Sequence, residues 1–409
     1  MKQILIIIVL LLNILFSQGE AGAVFLLISP SPTMNGMGEI GACLPSDDIY
    51  SSYYNPANGI SAFQGVSKSS SEMETRWLPN LADDLHLKYE VLGFGILSRN
   101  YPFQIVISQH RTYLDLGEQI RMGEHPEDYR GTFNSYMKAN ALIIGAKYTG
   151  AIKNIPIDLS VGMSRKTAIQ YLYMTNFGSA ESKEQLYDYG LLLSTKYQSS
   201  KLKTDIGYFN ASLVPSFGYS MSNIADSITF YVGDPAPTIL RTGLSMKMTI
   251  MYDNTLNIFK WSYGRMASDV MVDMTQLMNG KIRYQSGFGD IKFYENVILN
   301  KTDSSVDVHR GDEWTFFDTY SMRAGRRIDI DGQINISTSG YGYRLSGILK
   351  LLHYVTKDRV YEILQNHLDV RYNYSEYDEK PGHPLKNTDF EAWTVTIKNI
   401  DKLILKIFD

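Results

Sequence analysis

Along most of this chain the hydrophobic positions recur at every second residue, and that period predicts β-strands. Leu368, Val370, Tyr372 and Tyr374 alternate with Asp369, Arg371 and Asn373. Leu244, Met246, Met248 and Ile250 alternate with Ser245, Lys247 and Thr249. Ile157, Leu159, Val161 and Met163 oppose Asp158 and Ser160. Tyr187, Tyr189, Leu191 and Leu193 oppose Asp188 and Gly190, and Trp393, Val395 and Ile397 oppose Thr394 and Thr396. The run from Ile328 to Ile336 reads as one further strand, with Ile328, Ile330, Ile334 and Ile336 on one face. Between Ile258 and Phe259 the apolar set changes from even to odd positions, which predicts a β-bulge near Ile258.

Polar, turn-rich segments separate these runs. Arg121 to Gly131, Phe177 to Glu184, Gly233 to Pro237, Lys301 to Glu313 and Tyr377 to Asn387 read as loops. Two stretches carry three-to-four spacing and predict short helices, Ala267 to Met278 and Leu345 to Tyr354.

Such strands suit a soluble β-sandwich or propeller, with the apolar face in a core. They equally suit a transmembrane barrel, with that face toward lipid and the polar face toward the lumen. Full charges on the second face favour the barrel. So do strands of about 9–11 residues, the length a tilted strand needs to cross a bilayer. Tyr89, Tyr148, Tyr187, Tyr197 and Tyr263 lie near strand ends and are the candidates for an interfacial girdle. After residue 20 no apolar run reaches the 18 residues of a membrane helix, so a spanning protein would cross with strands.

The amino terminus is different. Lys2, the apolar run Ile4 to Phe16, and then Ser17, Gln18 and Gly19 have the order of a secretory signal peptide, residues 1–19. That places the mature protein outside the cytoplasm.

Composition narrows the function classes. The chain has 409 residues, with 39 Lys and Arg against 43 Asp and Glu, and a net charge of −4. This balance gives no overall footprint for nucleic acid. The 29 Tyr against 17 Phe suit positions with one apolar and one wet side. Cys43 is the one cysteine, so there is no internal disulfide and no Cys-based zinc site. The seven histidines lack a metal-ligand spacing, and no G-x-S-x-G elbow is present. Gly36-Met37-Gly38-Glu39-Ile40-Gly41 satisfies G-x-G-x-x-G but lies between prolines, with no strand–helix unit to hold a dinucleotide. No cofactor, metal or catalytic set is expected, and the chain does not read as an enzyme.

The segment after the signal peptide is the most specific. It runs Phe25-Leu26-Leu27-Ile28, then Gly36, Gly38 and Gly41, then Asp47-Asp48, then Tyr53-Tyr54-Asn55-Pro56-Ala57. This resembles the start of the PorV/PorQ family within the FadL-like outer-membrane barrels. His383-Pro384-Leu385, Asn387-Thr388 and Phe390 before the last strand, and Ser339-Gly340-Tyr341-Gly342 before the helical segment, add to the resemblance. Asn58 stands where the family commonly has Gly, and Cys43 and Leu44 where it has small residues.

The resemblance implies an all-β fold: a transmembrane antiparallel barrel of about 14 strands, with a luminal hatch over residues 20–60 and the barrel over 61–409. Gly36, Gly38, Gly41, Asp47, Asp48, Asn55, Pro56 and Ala57 would belong to the hatch rather than to a reaction centre. It further implies an outer-membrane component of the type IX secretion system. Its partners would be the C-terminal domains of secreted cargo, the large translocon barrel and a sortase-like surface-attachment protein. The alternative is FadL-like transport of hydrophobic small molecules. Charged inward faces would not suit a wide greasy conduit.

Overall fold

The structure is a computed structural model. It describes residues 22–63, 65–82, 84–97, 102–122, 129–175, 178–205, 207–225, 228–229, 233–253, 255–270, 287–330 and 332–402. The signal-peptide reading therefore lies outside the described residues.

Fourteen long antiparallel strands form one closed sheet. They are β1 Ser67–Arg76, β2 His86–Leu97, β3 Phe103–Met122, β4 Tyr129–Ile152, β5 Ile155–Thr175, β6 Gly178–Thr195 and β7 Gly207–Ile224. β8 Ile239–Tyr252, β9 Leu256–Val270, β10 Val306–Phe316, β11 Tyr320–Asp329, β12 Ile334–Arg344, β13 Leu368–Asp378 and β14 Asp389–Ile397 follow. Each strand pairs with its neighbour in this order, and the first strand closes on the last through Lys68↔Ile397 to Glu74↔Glu391. No sheet edge is left, which is how strands can stand in lipid without unpaired backbone groups.

The alternation read from sequence is the two faces of this wall. Phe94, Ile107, Ile144, Met163, Tyr189 and Leu193 face outward and stay exposed. Ser69, Ser108, Ser164, Ser220 and Ser245 on the other phase are buried in the lumen. An apolar belt on the outside of a closed barrel is the inverse of a soluble core and marks a strand-crossing membrane protein. No helix among the described residues is long and apolar enough to cross a membrane.

Ile258 is the bulge residue. Ile250 pairs with Phe259 and Met251 with Asn257, so Ile258 is left over and the outward set shifts phase there. Leu345–Thr356 is a helix, as the spacing predicts, followed by a second helix at Arg359–His367.

Several expectations are corrected. Ile328 to Ile336 is a hairpin, β11 turning into β12, and not one strand. Ile336 consequently faces the lumen and is buried, while Ile330 at the turn is exposed. An alternating run cannot reveal a turn whose own residues keep the alternation. Ala267 to Val270 is the end of β9 rather than a helix, and residues 271–278 lie outside the described residues. Gly178 to Glu184, Val306 to Glu313 and Tyr377–Asp378 are strand, although their polarity reads as loop. Gly178 to Glu184 is polar because β5 and β6 continue beyond the apolar belt, whereas in β10 Asp307, His309 and Glu313 turn inward to meet Arg327, Gly38 and Arg323. Tyr89 is no girdle residue: it points into the lumen and is buried against Tyr50 and Tyr53. Tyr148, Tyr187 and Tyr197 do face outward and are exposed.

The two ends of the barrel differ. At one end the β4–β5, β8–β9 and β10–β11 connections are short, and the β12–β13 connection carries the two helices. At the other, β3 to β6 extend far past their neighbours, and the β9–β10 connection spans 35 residues, 271–305. Short turns belong to the periplasmic side of such barrels and long connections to the outside. Part of that long connection, residues 287–300, folds back on the outer wall, where Ile291 and Val297 cover Leu240, Ala267 and Val306.

Candidate functional site

Residues 22–63 fill the lumen. Pro32–Asn35 forms a single helical turn with Pro at its start, and Ser31 caps it by accepting from the Met34 N–H at 3.0 Å. Ile49–Tyr53 is a 3₁₀ turn capped by Asp48, whose carboxylate accepts from the Tyr50 N–H at 3.2 Å. Ser31 also donates to Asp48, so one pair of side chains ties the two turns together. Met34, Met37, Ile40, Ile49, Tyr50 and Tyr54 are almost wholly buried between this hatch and the wall. Each contributes about 1.5–3 kcal/mol of apolar burial.

The eight motif residues come together here, each fixing backbone. Gly38 sits at φ +66 and Glu39 at φ +68, a left-handed pair that a Gly-first sequence permits. Thr338 of β12 accepts from the Gly38 N–H and donates to the Gly36 carbonyl, both at 3.0 Å. His309 of β10 lies 2.8 Å from the Gly38 carbonyl. Glu39 accepts from Tyr377 Oη at 2.7 Å and pairs with Arg327 at 3.3 Å. Gly41 lies under the ring of Tyr54, where a Cβ would overlap. Asn55 donates to the Ala42 carbonyl at 2.8 Å and to Leu191 of β6 at 3.0 Å, and accepts from the Ala57 N–H at 2.9 Å across Pro56. This Asx turn locks the Asn-Pro-Ala stretch to the wall.

Sequence reasoning missed the surface that receives the hatch. Gly145 and Gly162 pair directly, as do Gly162 and Gly190, Gly218 and Gly243, Gly264 and Gly311, and Gly311 and Gly325. These glycines face inward, and side chains added at Gly162, Gly190, Gly218, Gly264, Gly311 or Gly325 would strike Pro56, Asn55, Ala42, Ile40, Met37 or Gly38, while one at Gly145 would crowd Ile60 and one at Gly243 the Arg265 carbonyl of β9. They form an interrupted belt on which the hatch main chain rests. The signal was present as one glycine per strand in many strands, but only the register aligns them. Asn58, the departure from the family pattern, is a staple: it donates to the Gly41 and Leu44 carbonyls at 2.8 and 2.6 Å.

Asp47 holds the hatch to the periplasmic end of the wall. It pairs with Arg344 at 2.7 Å and Arg371 at 3.0 Å, and both arginines share the fully buried Asp369. Burial alone would raise the Asp47 carboxyl, but Arg371 and Arg344 hold it well below the usual carboxylate range. Asp48 goes the other way: burial raises it against the hydrogen bonds from Ser31 and the Tyr50 N–H. Burial also pushes the Cys43 thiol up to about 12, which leaves it unreactive.

Among the described residues the spaces beside the hatch are small or charged. The cavity between Phe25, Ile28, Tyr53 and His110 holds only ≈ 20 Å³. The space beside Asp47, Lys247, Lys260 and Asp318 holds ≈ 70 Å³ and is charged. The first is room for a water or two and not for a hydrocarbon.

The outer wall carries a second anomaly. β1 turns Lys68, Ser70, Glu72, Glu74 and Arg76 outward. Lys68 lies between Phe94 and Ile397, Ser70 between Leu92 and Val395, and Glu72 between Glu90 and Trp393. All of these apolar neighbours are exposed belt residues. The strand at the closure of the barrel thus presents Lys68 and Ser70 at belt height, with Glu72 level with Glu90 at the upper border of the belt; Lys or Arg at the midplane costs about 2–4 kcal/mol in lipid.

No family model matches the sequence. No curated protein matches it either. Among solved structures, the chain is similar to the toluene transporter TodX of Pseudomonas putida, at 10% identity and TM-score 0.38 over 90% of this chain and 97% of that one. It is similar to a Pseudomonas aeruginosa FadL homologue at 8% identity and TM-score 0.37, over 91% and 99%. The β-domain of the Bordetella autotransporter BrkA is similar at 10% identity and TM-score 0.34, over 82% and 99%. One of these three is named as a transporter, one as a FadL homologue and one as an autotransporter domain. Likeness at this level does not reach function.

Proposed function

We propose that this chain is an outer-membrane barrel, closed by its own hatch, that serves type IX protein secretion through contacts made by its wall and rim. The observation that carries this reading is the polar stripe of β1 at belt height. Against lipid those side chains are costly; against a protein wall they find partners. The fixed hatch supports the reading from inside, since such a barrel can bind without conducting. The hatch motif that resembles the PorV/PorQ start points to the same system. Its partners would be the translocon barrel, a sortase-like attachment protein and the C-terminal domains of cargo. No bond chemistry is assigned to this chain.

A second reading is uptake of a hydrophobic small molecule. The apolar stretch Phe25 to Ile28 favours it, because it lies at the amino-terminal start of the hatch, packed among Tyr53, Tyr89 and Ala141 of the hatch and inner wall. Displacing that stretch would open an apolar entry. The fold likeness to hydrocarbon transporters lies on this side.

A native pull-down of the tagged barrel from detergent-solubilised outer membranes separates the two. Recovery of a very large barrel, a sortase-like protein, or exported proteins sharing one C-terminal β-domain supports secretion. Recovery of the barrel alone with co-purifying fatty acids or hydrocarbons supports uptake and removes the first reading.

A further inference from the structure

The outer wall of β2 to β6 changes character at one level. Below it, past the mixed row Leu92–Gln109–Leu142–Arg165–Tyr187, stands the paired row Phe94–Ile107–Ile144–Met163–Tyr189, exposed and apolar. Above it runs the directly paired row Glu90–Arg111–Asn140–Thr167–Gln185. The next row is Lys88–Tyr113–Lys138–Ile169–Lys183, also directly paired. These two rows line a groove of ≈ 710 Å³ on the outside of the barrel.

The groove is cationic. Glu90 is its one acid against Lys88, Arg111, Lys138 and Lys183. Arg111 pairs with Glu90 at 3.7 Å, and Lys88 reaches Glu74 at 3.4 Å. Lys138 lies 5.0 Å from the centre of the Tyr136 ring. No ion pair joins Lys138 or Lys183 to a carboxylate among the described residues. Lys88, Lys138 and Lys183 stand on alternate strands, and so are spaced by about 10 Å across the sheet. Tyr113, Tyr136 and Tyr171 stack in series beside them, with ring centres 5.7 and 5.4 Å apart.

Separated cations, a stacked aromatic face and an aliphatic wall beneath suit one kind of molecule. We propose that this groove binds the phosphorylated sugar headgroup of an outer-leaflet glycolipid. Lys88, Lys138 and Lys183 meet its phosphates, the tyrosines meet the sugar faces, and the acyl chains lie along the belt below. The spacing of the lysines selects a headgroup with two separated phosphates over one with a single phosphate. The site requires only that the barrel stand in the outer membrane with its long connections outward, and it is independent of the secretion or uptake reading.

The test is native mass spectrometry of the full mature barrel released from phosphatidylcholine nanodiscs doped with diphosphoryl lipid A, monophosphoryl lipid A or the dephosphorylated lipid. The expected result is retention in the order diphosphoryl, monophosphoryl, dephosphorylated, with retention weakening as salt rises. Lys138→Gln with Lys183→Gln should weaken the diphosphoryl lipid by on the order of tenfold or more. Lys350→Gln, on the periplasmic helix, should leave it unchanged. Heat-modifiable migration reports that each variant is folded; if the double variant is not, Lys183→Gln alone serves, with a smaller loss. Equal retention of all three lipids, or of wild type and folded variant, overturns the proposal. Full displacement by millimolar inorganic phosphate also overturns it, in favour of a simple anion site. A protein that occupies the groove in native membranes and excludes the lipid overturns it as well.

Discussion

Asn55 of the hatch lies against Gly190 of β6 so closely that a Cβ on Gly190 would overlap the Asn55 side-chain oxygen. That oxygen accepts from the Ala57 N–H, while the amide nitrogen of the same side chain reaches the Leu191 carbonyl at 3.0 Å. A residue with no side chain in the wall is thus matched to one whose side chain crosses to the wall.

Gly190→Leu should expel this part of the hatch. Overpacking typically costs about 1–3 kcal/mol, and here the first atoms met are the Asn55 side chain, pinned by its own hydrogen bonds, the Pro56 ring and the Ala57 nitrogen. Cys43 supplies the readout, because it is fully buried in wild type. Maleimide labelling of the folded barrel should be negligible in wild type and rapid in Gly190→Leu. Equal protection in both would show that the belt does not fix the hatch.

Asn55→Ala and Asn58→Ala should each destabilise the folded barrel by about 2–3 kcal/mol, because each leaves buried carbonyls without a donor. Asn58→Gly should cost as much as Asn58→Ala, although glycine is common there in the family the hatch resembles. Denaturant midpoints read by tryptophan fluorescence check this. A neutral Asn58→Gly would mean that its two carbonyl partners are satisfied by water.

The Asp47 contact sets a pH dependence. Its carboxyl in the folded state lies below its unfolded value, so the stabilisation is present above the unfolded pKa of about 3.9 and is lost as pH falls below it. Cys43 labelling should therefore stay slow from pH 7 to about pH 5 when corrected for thiolate chemistry with a pH-tolerant reagent. Hatch loosening should begin only in stronger acid. Asp48, raised by burial, works in the opposite direction and softens the loss. Asp47→Asn should label faster at pH 7 and lose the acid step.

Lys68→Leu, between Phe94 and Ile397, should leave the isolated barrel as stable as wild type in detergent and release the partner recovered in the pull-down. Photo-crosslinking from position 70 should capture protein, and from position 144 on the aliphatic wall only lipid. Lipid adducts at both positions would assign the β1 stripe to lipid and remove the observation on which the secretion reading rests.

Much of this protein is set by sequence alone. The period of two along β5, β8, β13 and β14 fixes strand identity and which face is apolar, since a slip of one residue would invert every side chain. The phase change at Ile258 marks its bulge for the same reason. The helix at Leu345 is legible because its spacing differs from that of the strands around it.

What sequence could not give are the relationships that need register and closure. Alternation cannot separate one strand from a hairpin at Ile328 to Ile336, nor an inward Tyr89 from an outward Tyr148. The glycine belt, the polar stripe of β1 and the lysine row above the belt each join residues from strands far apart in the chain. Only the pairing of neighbouring strands, about 4.8 Å apart, brings them onto one surface. Tertiary structure also decides direction. The same alternating strands would build a soluble core, and closing the sheet around a filled lumen is what turns the apolar face outward.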